Sequence, residues 1–174
     1  MINAVATRLA TQIKKSVPEH PSSVEVLKYS IAFLLNAVLT TLLTLVIASA
    51  LGKFAESAVA LAGFALLRQF SGGIHLKSGL LCIIISTTGA LTLAFVQLDK
   101  PLLYVLTILS LLLALWFAPS RIERQTRIPH HYYPLLKYIS ILIIASNLVF
   151  HSSVLAASFF VQCLTLIEGR RRVT

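Results

Sequence analysis

The chain has 174 residues, 57% of them hydrophobic and 12% charged, with a mean hydropathy of +0.86. A water-soluble domain carries about 25% charged residues, so half of the usual solvated surface is missing and a soluble globular fold is excluded. The formal net charge of +9 does not point to nucleic acid, because the basic residues sit in short segments between apolar runs, without an aromatic-interleaved basic face.

The expected fold class is therefore all-α: one polytopic membrane domain covering residues 1–174, with about six transmembrane helices. Ile2, Val5, Ala6, Leu9 and Ile13 recur at helical spacing, with Arg8, Lys14 and Lys15 elsewhere on the wheel. This pattern predicts an amphipathic helix within residues 1–20, lying in the inner headgroup layer. Charges within the first 28 residues, with no compact apolar core, argue against a cleavable leader. Pro18 and Pro21 interrupt the pattern, and Ser22-Ser23-Val24-Glu25 matches a capping box that starts a new helix leading into the first span.

A span needs about 20 apolar residues to cross a ~30 Å hydrocarbon core. The expected spans are 29–52, 54–70, 78–98, 101–118, 135–150 and 152–167. Glu56 and Arg68 lie near the ends of the second, and Pro101 suits a first helical turn. The uncharged run Tyr138–Ile167 is read as a hairpin of two helices, because Ser146-Asn147 and His151-Ser152-Ser153 interrupt it. With six spans, 13 of the 15 lysines and arginines fall on one side, leaving Lys53 and Lys100 on the other. The positive-inside rule then places both termini in the cytoplasm of a multi-pass plasma-membrane protein.

One polar, glycine-rich segment, Arg68-Gln69-Phe70-Ser71-Gly72-Gly73-Ile74-His75-Leu76-Lys77-Ser78-Gly79-Leu80-Leu81-Cys82, separates the second and third spans on that cytoplasmic side. A cysteine attacks as its thiolate, and an adjacent imidazole can take the proton. His75 and Cys82 are the candidate pair, and the Arg68 and Lys77 cations would favour the thiolate. Gly72 and Gly73 permit unusual backbone angles and close approach. In one straight helix, positions 75 and 82 would lie about 10.5 Å apart along the axis, too far for proton transfer. The chain must therefore bend between them, with Gly79 the natural place, or His75 must fold back from the loop. On residue types alone, a packed cysteine and an interfacial histidine explain the pair more simply than catalysis does. Asn36 in the first span and Ser78 beside the loop are candidate orienters of His75. Glu56 falls near the outer face and reads as a carboxylate at a helix start.

Arg68, Gly72-Gly73, His75 and Cys82 resemble the signature of the accessory gene regulator B family, membrane-embedded cysteine endopeptidases that mature quorum-sensing propeptides. Ala118-Pro119 followed by a basic loop also resembles that family. The resemblance implies cleavage of a propeptide of the accessory gene regulator D type, with Cys82 as nucleophile and His75 as base. The resulting acyl-enzyme would close to a cyclic thiolactone or lactone. It further implies a homodimer in the bilayer, with the helix faces bearing Asn36, Thr40, Thr41 and Thr44 available for association. Arg121, Arg124 and Arg127 are candidate docking residues for an acidic propeptide tail. No cofactor and no metal are expected, since adjacent His130-His131 have no Cys or carboxylate at ligand spacing. Cys163, with no histidine nearby in sequence, is expected to be packing. The alternative class is a non-enzymatic membrane helper or export subunit in which His75 and Cys82 merely pack.

Overall fold

The computed structural model describes residues 2–19, 21–74, 78–120 and 129–171, with side chains to residue 167 in the last segment. His75, Lys77, Arg121, Arg124 and Arg127 lie outside the described residues. Among the described residues the fold is all-helical. Its helices are α1 (Ile2–Ser16), α2 (Val24–Ala50), α3 (Phe54–Ser71), α4 (Gly79–Ala94), α5 (Lys100–Phe117), α6 (Tyr133–Ala145), α7 (Asn147–Phe150) and α8 (Ser153–Arg171), with a short 3-10 turn at His130–Tyr132 before α6.

The surface is inverted relative to a soluble protein. Phe33, Leu34, Leu42, Val46, Trp116, Tyr138 and Leu142 are exposed, whereas Thr44, Ser57, Thr107, Ser110, Ser140, Ser158, Asn147 and Gln162 are buried. Small polar residues allow helices to approach closely where no water competes, and large apolar residues face lipid. Several of the buried hydroxyls are satisfied within their own helices: Thr107 donates to the Leu103 carbonyl at 2.8 Å, Ser110 to Leu106 at 2.7 Å and Ser158 to Val154 at 2.7 Å. Among the described residues, three helical stretches are long and apolar enough to cross a bilayer, Val24–Ala50, Lys100–Phe117 and His130–Phe150, and Gly79–Ala94 and Ser153–Ile167 are shorter apolar helices.

α8 is the central element, packed against α3, α4 and α5. Its Phe159, Cys163 and Leu166 form a core with Leu67, Ala114 and Ile144. Close approach of α3 and α8 depends on Gly63, where a Cβ would stand 2.7 Å from Leu155 Cδ2. Cys163 is a packing residue, buried with its thiol 3.5 Å from the Ser110 carbonyl. α1 rests on α2 through buried Ala6 and Ala10, leaving Val5, Leu9 and Ile13 exposed.

Two details differ from the sequence reading. The cap of α2 is Ser23, whose oxygen accepts from the Val26 amide at 3.3 Å, one residue later than the Ser22–Glu25 box. Glu25 stays in the first turn in this register, where it complements the helix dipole. Thr40 and Thr44 are buried inside the fold, and Thr44 meets Thr87 of α4 at 3.3 Å. Thr44 thus joins α2 to α4, and both threonines are covered within the chain.

Short turns reverse the chain at one end of the bundle. The α2–α3 turn uses Gly52 at φ 65°, and Lys53 pairs with Glu56 at 2.7 Å, closing the start of α3. The α6/α7–α8 hairpin pivots on His151 at φ 50°. Buried Asn147 ties that pivot down, donating to Thr107 Oγ1 at 3.3 Å and to the Ser152 carbonyl at 3.2 Å, and accepting from the Ser152 amide at 3.0 Å. The Ser152–Ser153 step also meets the α4–α5 turn, where the Leu98 amide donates to Ser153 Oγ at 3.1 Å. The glycine-rich segment lies at the opposite end.

Candidate active site

α3 stops at Ser71 because Gly72 takes φ 76° and ψ −139° and Gly73 takes φ 115°, backbone angles that an L side chain resists. The chain leaves α3 in extended form and pairs with the segment after α5. The Gly73 amide donates to the Ser120 carbonyl at 2.9 Å, and the Ser120 amide donates to the Ser71 carbonyl at 2.9 Å, forming one parallel bridge. Ser120 follows a cis Ala118-Pro119 peptide, and its hydroxyl reaches toward the Leu166 carbonyl at 3.4 Å. The ends of α3, α5 and α8 are thus bonded together at the root of the loop.

α4 then begins at Gly79, with Ser78 as its N-cap facing the Leu81 amide at 3.5 Å. The stretch Gly72–Cys82 is therefore not one straight helix, and α4 starts afresh at the Ser78–Gly79 step. Cys82 sits in the first turn of α4, half-buried, its amide bonded to the Ser78 carbonyl at 3.0 Å. Orphan amides and the positive end of the dipole at such a position favour an anion.

Two neighbours shape the surroundings of that thiol. Half-buried Arg68, one turn before the end of α3, donates from its guanidinium to the Ile74 carbonyl and stands within electrostatic range of the Cys82 sulfur. One cation thus touches Ile74 and lies near the thiol at the start of α4. Asn36 of α2 lies against Gly79, where a Cβ would stand 2.9 Å from Nδ2 and 3.0 Å from Oδ1. Asn36 Oδ1 is buried without a hydrogen-bond partner among the described residues. Positions 79 and 82 share a helix face, and helical side chains lean toward the N-terminus. The Asn36 carboxamide therefore occupies the side of α4 that carries Cys82.

The structure brings Arg68, Gly72, Gly73, Ser78, Asn36 and Cys82 to one end of the bundle. Glu56 is at the other end, paired with Lys53. Sequence reading missed Gln162. Its buried amide donates to the Gly72 carbonyl at 2.7 Å and to Ser71 Oγ at 3.2 Å. The available signal was a long polar side chain within an otherwise apolar final helix, which needs a partner at such depth. Among the described residues no group of three or more His, Cys, Asp or Glu could hold a metal ion.

An all-helical chain with lipid-type exterior, buried small polar residues and a half-buried thiol at a glycine-broken helix end is an integral membrane protein with a candidate nucleophile site. The chain belongs to the accessory gene regulator B family, whose model matches residues 6–167, nearly its whole length. Membership places it in the accessory gene regulator quorum-sensing system, at the membrane where the propeptide is processed. No curated protein and no solved structure matches the chain.

Proposed function

We propose that the protein is a membrane-embedded cysteine endopeptidase that cleaves the C-terminal part of a quorum-sensing propeptide and closes the remainder into a ring. The observation that carries this reading is the position of Cys82, half-buried in the first turn of α4 with Arg68 in electrostatic range. Cys82 lies on a helix that starts directly after the segment bearing His75, which in this reading takes the thiol proton.

In the proposed reaction His75 takes the thiol proton and Cys82 Sγ attacks the scissile carbonyl carbon. The carbon–nitrogen bond then breaks, the proton passes from His75 to the departing amine, and an acyl-enzyme thioester remains. An internal thiol or hydroxyl of the propeptide attacks that thioester, its proton returns to Cys82, and a thiolactone or lactone leaves. Exclusion of water from a site at the bilayer boundary favours ring closure over hydrolysis.

Arg68, Gly72 and Gly73 hold the loop, Asn36 and Ser78 orient the pair, and Lys77 adds positive charge. Arg121, Arg124 and Arg127 dock the acidic tail of the propeptide. In this reading six helical segments cross the plasma membrane with both termini and the site cytoplasmic, α1 lies in the inner headgroup layer, and the protein works as a homodimer.

Cys82→Ala and His75→Ala, each assayed with a synthetic propeptide of the accessory gene regulator D type, should abolish cleavage without loss of protein from the membrane. Cleavage that survives Cys82→Ala overturns the enzyme reading and leaves a non-enzymatic helper.

A further inference from the structure

Gln162 is completely buried in the central helix. A buried primary amide is costly unless it is bonded, and a methionine would fill similar space but leave the Gly72 carbonyl without its donor. Its bonds show what it holds. The Gly72 carbonyl, at 2.7 Å, has acceptor capacity alone, which fixes the amide with Nε2 toward the loop; Ser71 Oγ receives the second contact at 3.2 Å.

The Gly72–Gly73 step needs an external restraint. Both residues have positive φ and no side chain, so the direction of the chain there is weakly set by local sterics. Gln162 fixes the carbonyl of the first glycine, and the Ser120 carbonyl fixes the amide of the second at 2.9 Å. The fit is tight, since a Cβ on Gly73 would stand 2.6 Å from Thr165 Oγ1 and 3.3 Å from Gln162 Nε2.

We infer that Gln162 is a positioning residue for the proposed reaction: by clamping the Gly72 carbonyl from α8 it sets the direction in which the backbone leaves α3 toward His75. The inference rests on the assignment of His75 as the base for Cys82. It also assigns the central helix a part in the chemistry although α8 supplies no reacting group.

The test uses the full-length protein in proteoliposomes with a synthetic propeptide of the accessory gene regulator D type. Gln162→Met keeps the volume and removes the donors. Its kcat should fall about 10- to 100-fold, the scale of a misplaced reacting group, while KM changes less than about twofold. Without propeptide, the pH dependence of Cys82 alkylation, read on the Cys82 peptide by mass spectrometry, should move in the direction produced by His75→Ala. Gln162→Glu adds a signature that a filling role does not produce. A neutral carboxyl group can still donate to the Gly72 carbonyl and an ionised one cannot, so its activity relative to the unsubstituted protein should rise as pH falls.

Unchanged kcat and an unchanged alkylation profile in Gln162→Met overturn the clamp and leave the proposed reaction standing. A His75→Ala alkylation profile equal to that of the unsubstituted protein overturns the reading on which the clamp rests. If Gln162→Met is lost from the membrane, Gln162→Glu decides alone, and a pH-independent activity ratio overturns the inference.

Discussion

Asn36 fills the space that a side chain at Gly79 would occupy. The two residues come from α2 and from the first position of α4, and a Cβ at 79 would lie 2.9 Å from the Asn36 Nδ2 atom. In isolation, alanine at a helical position is better than glycine by about 0.5–1 kcal/mol. Here the gain should be cancelled by displacement of the carboxamide. Gly79→Ala is expected to lower propeptide cleavage about tenfold or more, because the displaced group lies on the Cys82 side of α4. In an Asn36→Ala background the same substitution should raise the thermal unfolding temperature in detergent. Additive effects of the two changes would show that the residues are not coupled.

Two glycines at positive φ should respond differently to alanine. At Gly52, with φ 65°, an added Cβ would meet nothing within 4 Å, whereas at Gly73, with φ 115°, it would press on Thr165 and Gln162. Gly52→Ala should cost about 1 kcal/mol from backbone strain and leave the rate of cleavage per folded molecule unchanged. Gly73→Ala should cost more, about 1–3 kcal/mol, and should also slow cleavage, because it disturbs the bonds at the root of the loop. Chemical or thermal unfolding read beside activity separates the two effects.

Arg68 combines a charge with a directional bond, and the two parts can be separated. Arg68→Lys retains the cation near Cys82 but loses the planar fork that reaches the Ile74 carbonyl. Arg68→Gln loses the charge. Alkylation of Cys82 at neutral pH should remain close to normal in Arg68→Lys and slow in Arg68→Gln. Cleavage should fall in both, by about 100-fold in the glutamine variant. Normal cleavage in Arg68→Lys would show that the bond to Ile74 has no part in the reaction.

The pattern of apolar runs and breaks in the sequence reports local backbone preferences, and those were legible. Ser146-Asn147 and His151-Ser152 marked the hairpin because buried polar residues and a left-handed residue are needed to turn there. The Gly72–Gly79 interval marked the break between α3 and α4 for the same reason. Pairings between distant helices left no such trace. Thr44 looked like a surface for association, yet it bonds to Thr87 across 43 positions. Gln162, which the sequence reading missed, bonds to Gly72 across 90 positions. In an apolar chain, a polar side chain signals that it needs a partner without saying which one. The partner depends on how helices pack, and nearly uniform hydrophobicity around a helix such as α8 gives no preferred face from which to read it.

Asn147 provides the control for an effect on the fold without an effect on the site. It is fully buried at the end of the bundle opposite Cys82, and it satisfies both the amide and the carbonyl of Ser152 as well as Thr107 Oγ1. Asn147→Ala would leave two backbone groups unpaired at the pivot of the last hairpin, each at about 1–3 kcal/mol. Leucine at this position would fill the volume but leave the same groups unpaired, so it should not rescue stability. Both variants are expected to unfold at a lower temperature and to be less abundant in the membrane. The surviving folded fraction should cleave propeptide at the normal rate per molecule, because Asn147 bonds to Thr107 and Ser152, away from the Gly72–Cys82 segment. The check is activity normalised to Cys82 titrated by alkylation in the same sample. A drop in normalised activity would show that the hairpin pivot is coupled to the site through α8.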